Sequence, residues 1–171
     1  MAGKDLKYYG ECFGRLNVNR RRGRVAPHKA LLLLAVIDLV ERGVIKCARI
    51  ELSDTLVQAF NENARKFFAS SPLFQPKVNY PFYHMDSEPF WHLVKAQRNE
   101  LPLAADGEAR YDGMTARAEA SGRKPEYSLK RLREMYEGAE IDEELFELMK
   151  VGDNRARMRV ELISRYLKGE W

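Results

Sequence analysis

A chain of 171 residues, 45% hydrophobic, suffices for one domain with its own core, and it is read as a single domain over residues 1–171. A net charge of +4 is too small to name a partner, and two cysteines outside any C-x-x-C pair exclude a disulfide framework and a zinc site. The first residues lack the basic-then-apolar pattern of a secretory signal, and no apolar run reaches the roughly 20 residues a bilayer requires, so a cytoplasmic protein away from membranes is expected.

Charge distribution says more than the total. Residues 1–29 hold eight lysines and arginines against two acidic residues, whereas residues 137–150 hold six acidic residues against Lys150. One face positive and another negative suits a polyanion approached in a fixed orientation.

In chain order, Leu6, Tyr9, Phe13 and Leu16 recur at helical spacing and predict an amphipathic helix within 4–16. Residues 17–25 read as a basic loop carrying Arg20, Arg21, Arg22 and Arg24. From Ala30 to Ile37 no residue is polar, which predicts a helix buried on nearly all sides, with Pro27 in its first turn and Gly43 closing its far end. His28 and Lys29 then stand at the helix N-terminus, where free N–H groups and the positive dipole end make an anion site. Residues 44–45 and 49–52 are short strands or a turn. Ser53 caps a third helix with Leu56, Val57, Phe60, Ala64 and Phe67 on one stripe.

Pro72, Pro76 and Pro81 argue against a helix between Ser70 and Pro81. The runs Phe82–Met85 and Phe90–Val94 are read as an antiparallel pair joined by Asp86-Ser87-Glu88-Pro89. Residues 97–126 form a polar excursion with a short helix near 114–120. Ser128, Asp142 and Asp153 are placed to cap three closing helices. The fold class is therefore α+β, mainly α-helical with a small antiparallel β-hairpin or sheet, in the order of a winged helix-turn-helix.

Chemistry is sparse. The three histidines are His28, His84 and His92, and the last two have no carboxylate in ligand spacing, so no metal site is assigned. No nucleophile-elbow, phosphate-loop or H-E-x-x-H motif occurs; Asp86 and Glu88 read as a solvated turn, and no catalytic residue or cofactor is assigned. The binding signal is the arginine run before a helix N-terminus, able to neutralise several phosphates. Lys95, Arg98, Arg117, Arg123, Lys124, Lys130, Arg131 and Arg133 are further contact candidates.

Ala26-Pro27-His28-Lys29 before the leucine run, then Tyr80-Pro81-Phe82-Tyr83-His84 and Phe90-Trp91-His92-Leu93-Val94, resembles the DNA sulfur-binding domain of McrA-type HNH endonucleases, which restrict phosphorothioate-modified DNA. The resemblance extends over most of residues 5–168. It implies a shallow apolar cavity for a non-bridging sulfur, walled by Tyr80, Pro81 and the Cβ of His84, with His28 and Lys29 holding the modified phosphate. Arg20, Arg21, Arg22, Arg24, Arg117, Arg123 and Lys124 are the implied backbone and base contacts. Sulfur is a weaker hydrogen-bond acceptor than oxygen, so an apolar wall penalises oxygen by ~1–3 kcal/mol. Lysine at position 29 departs from the arginine of some members and lacks its bidentate fork. The chain carries no HNH nuclease, so it is expected to be a non-catalytic reader, stand-alone or a trimmed part of an endonuclease, with a possible separate nuclease as partner. The expected ligand is double-stranded phosphorothioate-modified DNA. The rivals are a winged-helix regulator of unmodified DNA and a protein-interaction domain using the acidic helix at 142–150.

Overall fold

A computed structural model describes residues 3–21, 24–71, 74, 76–96 and 128–168. The polar excursion and its expected helix near 114–120 lie outside the described residues, as do Arg22, Arg98, Arg117, Arg123 and Lys124.

Helix α1 (Leu6–Gly14) starts where the Asp5 carboxylate accepts the Tyr8 N–H at 2.9 Å. The basic loop is a ribbon of two short strands, β1 (Arg20–Arg21) and β2 (Arg24–Val25), paired antiparallel as Arg20 to Val25 and Arg21 to Arg24. Helix α2 (His28–Glu41) follows directly, with Pro27 as its cap residue, one position before the first turn where the sequence placed it. Every residue from Lys29 to Ile37 is buried, as are Leu39 and Val40, so the leucine run is the centre of the core. Gly43 adopts φ 75°, and the Gly43 and Val44 N–H groups bond the Val40 and Leu39 carbonyls, closing the helix in a Schellman motif.

Strand β3 (Arg49–Ile50) leads to Ser53, whose hydroxyl accepts the Leu56 N–H and caps α3 (Asp54–Phe68). The next element corrects the proposed hairpin. Residues 79–84 form a short helix, α4 (Asn79–His84), continued by a 3-10 turn (Met85–Ser87). Pro81 lies in the first turn of α4, where its missing N–H is not needed, and the Phe82 N–H makes the helical bond to Val78. Pro81, Phe82 and Met85 are the buried residues. Their i, i+1, i+4 spacing was the helical signal beneath the aromatic run.

Strand β4 (Trp91–Lys95) is real, but its partner is β5 (Tyr136–Ile141), which follows α5 (Leu129–Met135). The sheet runs β3-β5-β4, antiparallel throughout, with β5 central. The acidic composition of Glu137-Gly138-Ala139-Glu140 hid this strand, because its β character comes from neighbours on both sides and not from local propensity. Helices α6 (Glu143–Met149) and α7 (Gly152–Tyr166) complete a mainly helical α+β arrangement with a small three-stranded antiparallel sheet. Asp153 is in the first turn of α7, whose cap residue is Val151. Among the described residues, no helix is long and apolar enough to cross a membrane.

Helix α2 packs on α3, α4 and α7, and α1 packs on α6 and α7. The Tyr166 hydroxyl fastens the last pair, donating to the Phe13 carbonyl at 2.6 Å and accepting the Leu16 N–H at 3.0 Å. At the centre of the sheet Gly138 has φ 153°, and a Cβ there would stand 2.6 Å from the Ile50 carbonyl oxygen. Gly138→Ala is therefore expected to lower unfolding free energy by about 1–3 kcal/mol in urea titration; a loss below about 0.5 kcal/mol would show that β3 yields freely.

Candidate nucleic-acid interface

Three elements converge on the surface that the sequence singled out. The β1-β2 ribbon runs into α2 through Ala26 and Pro27, with the Ala26 N–H bonded to the Asn19 carbonyl at 2.8 Å. The N-terminal half of α2 ends in His28, and α4 packs against α2. No side chain caps α2, leaving its first N–H groups without the usual hydroxyl or carboxylate partner.

His28 is half-buried, with its ring edge-on to Phe74 at 5.5 Å between centroids, and Phe74 in turn meets Phe68 at 4.8 Å. Burial pushes the imidazole below its ordinary value of 6.5, so it is neutral at pH 7 and able to offer one N–H to a ligand.

Lys29 does not stand at the entrance as a cation. Its ammonium is buried, 2.6 Å from Glu88 Oε2 and 3.1 Å from Ser87 Oγ, with side-chain exposures of 7% for Lys29 and 5% for Glu88. Lys29 follows His28 directly, and one helical step of about 100° turns its stem inward. The same Glu88 oxygen accepts the Asn17 N–H at 2.9 Å, and Ser87 Oγ donates to the His84 carbonyl at 3.0 Å. Glu88 is thus no solvated turn residue, whereas Asp86 is exposed on the 3-10 turn, its carboxylate accepting the Leu93 N–H at 2.9 Å. A lysine at the head of an otherwise apolar helix was the available signal, since a buried ammonium demands a buried carboxylate.

On α4 the three expected cavity residues divide. Tyr80, 38% exposed, and His84 lie one turn apart on the outer side with ring planes within 8° and centroids 6.4 Å apart. Pro81 is buried beneath them and forms part of the α4 underside with Phe82. Tyr83 links this row to the sheet, 5.2 Å from His84 and 6.2 Å from Tyr136.

The basic candidates also divide. Arg15, Arg20, Lys77, Lys95 and Lys130 are exposed and join no ion pair among the described residues. Lys77 precedes α4, Lys95 pairs in register with Tyr136, and Lys130 belongs to α5, which packs on α4. Arg21 and Arg24 are fixed through their backbone pairing. Arg133 is committed elsewhere, to the Leu52 carbonyl at 2.7 Å and Asp54 at 2.8 Å.

His92 Nε2 lies 3.1 Å from Asp142 Oδ1, and Asp142 Oδ2 accepts the Tyr9 hydroxyl at 2.8 Å and the Lys4 ammonium at 3.2 Å. Burial pushes the Asp142 carboxyl up, but these hydrogen bonds outweigh it and hold the group below its ordinary range. The carboxylate is spent on this cluster, so it provides no side-chain cap for α6. Among the described residues no three His, Cys, Asp or Glu side chains gather as a metal site.

The His28 shift has a pH consequence. The unfolded chain takes up a proton first as pH falls through 6.5, so stability tied to the neutral ring is fully present above 6.5 and is lost as pH falls toward the depressed folded value. The melting temperature of the wild type is expected to drop between about pH 7 and pH 5 more steeply than that of His28→Gln. Parallel profiles for the two proteins would refute the buried neutral ring. No protein-family model and no curated protein matches the chain.

Proposed function

We propose that this protein binds double-stranded DNA without catalysis and discriminates a phosphorothioate from an ordinary phosphate at the outer face of α4. The observation that carries the reading is the exposed Tyr80–His84 pair on a helix packed against the ribbon-led N-terminus of α2. In this reading Tyr80 and the His84 Cβ form the apolar wall, with Pro81 as its buried floor. His28 and the uncapped N–H groups of α2 meet the phosphate oxygens, and Arg20, Arg21, Arg24 and Lys77 neutralise neighbouring phosphates. Lys29 is left out of the contact set, because its ammonium is already satisfied inside.

The element order supports a winged-helix architecture. From α2 onward the order is β3, α3, α4, β4, α5 and β5, so that α4 is the third helix counted from α2, in the position of a recognition helix, with α5 inserted before the last strand of the β3-β5-β4 sheet. Such a frame serves a regulator of unmodified DNA equally well. What favours the sulfur reading over that regulator is the chemistry of the α4 face, whose exposed side chains, Tyr80 and His84, are rings, while Asn79, the one amide on the helix, is half-buried at its start.

Matched duplexes with and without one stereodefined sulfur decide between them. The modified duplex is expected to bind about 10- to 100-fold tighter, the equivalent of ~1–3 kcal/mol. Tyr80→Ala should bring the ratio close to one. Arg20→Ala should weaken both duplexes alike and reduce the logarithmic salt slope by about 0.9. Equal binding of both duplexes by the wild type would establish the regulator reading, and indifference to DNA would remove both.

A further inference from the structure

We infer that Lys29 and Glu88 are positioning residues that set the pose of α4 against the head of α2, and through it the preference for sulfur over oxygen. The inference rests on the proposed function for what α4 reads, but the clamp itself stands on geometry. Helix α4 has six residues, too few to persist without tertiary support. Its far end is held by a continuous chain of polar contacts. The Lys29 ammonium donates to Glu88 and to Ser87 Oγ, and Ser87 Oγ donates to the His84 carbonyl, so α2 grips the residue whose side chain sits beside Tyr80.

Glu88 ties in the third element. Its Oε2 also accepts the Asn17 N–H, three residues before the ribbon strand that carries Arg20, and its own N–H bonds the Met85 carbonyl to close the 3-10 turn. One carboxylate oxygen thereby joins the approach to the ribbon, the first turn of α2 and the end of α4. Neither charged group is exposed enough to touch a duplex, so any effect on recognition acts through the elements the pair joins, and of these α4 is the one that carries the wall. Contacts to sulfur at a shallow wall depend on close approach, and displacement of the wall by a fraction of an ångström to an ångström forfeits much of the dispersion gain. Long-range attraction to phosphates is far less sensitive to such a shift. The clamp therefore governs selectivity more than total affinity.

Glu88→Gln tests this, together with the double variant Lys29→Met/Glu88→Gln. The double variant keeps an acceptor for the Asn17 N–H and leaves no buried charge unpaired, so it folds even where the single variant does not. Both are expected to bind the unmodified duplex within about threefold of wild type and to lose about tenfold of the sulfur preference. A folded double variant that retains the full preference, or that weakens both duplexes in the same proportion, overturns the inference. A wild type without sulfur preference overturns the proposed function instead, and the clamp is then judged by amide hydrogen exchange. Faster exchange at residues 82–85 in the double variant, with α7 unchanged, sustains it; unchanged exchange in α4 removes it.

Discussion

A buried ammonium has to meet a carboxylate, and much of this structure's geometry follows from where that pair sits. Lys29 and Glu88 are both nearly inaccessible, and removing one partner from such a pair costs about 3–5 kcal/mol because the other charge is left stranded. The segment after α4 is consequently bound to the head of the core helix. Hydrophobic packing alone would allow α4 to slide along α2, since apolar contact is non-directional. The ion pair and its hydrogen bonds supply the direction.

Opposite that knot, a second set of polar contacts organises the far end of α2. Asp38 accepts from Asn63 of α3 and Arg159 of α7, and Glu41 pairs with Arg155 and Arg159. The core helix is thus oriented at both ends by charge and filled between them by leucines. The acidic stretch after β5 divides along similar lines. Glu143, Glu144 and Glu147 are exposed, whereas Asp142 gathers Tyr9, Lys4 and His92 into a cluster joining α1, β4 and the start of α6. Lys4, Lys29 and Asp142 are members of the two charged stretches that join distant elements in this way. Arg20 on the ribbon, Lys77 before α4 and Lys130 on α5 remain exposed and outside the ion pairs of the described residues.

The legible part of the candidate site was the part encoded locally. The leucine run announced a buried helix, Gly43 announced its end, and Ser53 and Ser128 announced caps that accept the expected N–H groups. His28 at the helix head and Tyr80 on an exposed surface were also accessible from the motifs. The motif pairs Lys29 with His28 at the phosphate, because adjacent residues of a motif read as a unit. In a helix they point about 100° apart, and only one of them can face outward.

Sequence by itself determined the identity and length of the core helix, the helices on either side of it, the basic approach to its N-terminus and the residue types available there. These follow from periodicity, capping and composition, which act over a few residues. Tertiary structure alone decided that α4 packs against α2, that β4 pairs with β5 rather than with the run before it, and that Gly138 lies so close to β3 that an added Cβ would stand 2.6 Å from the Ile50 carbonyl oxygen. It alone decided, too, that Glu88 is an internal counterion. The physical reason is the same in each case: the partner that fixes the outcome lies tens of residues away, and its proximity is a product of folding that no local pattern contains.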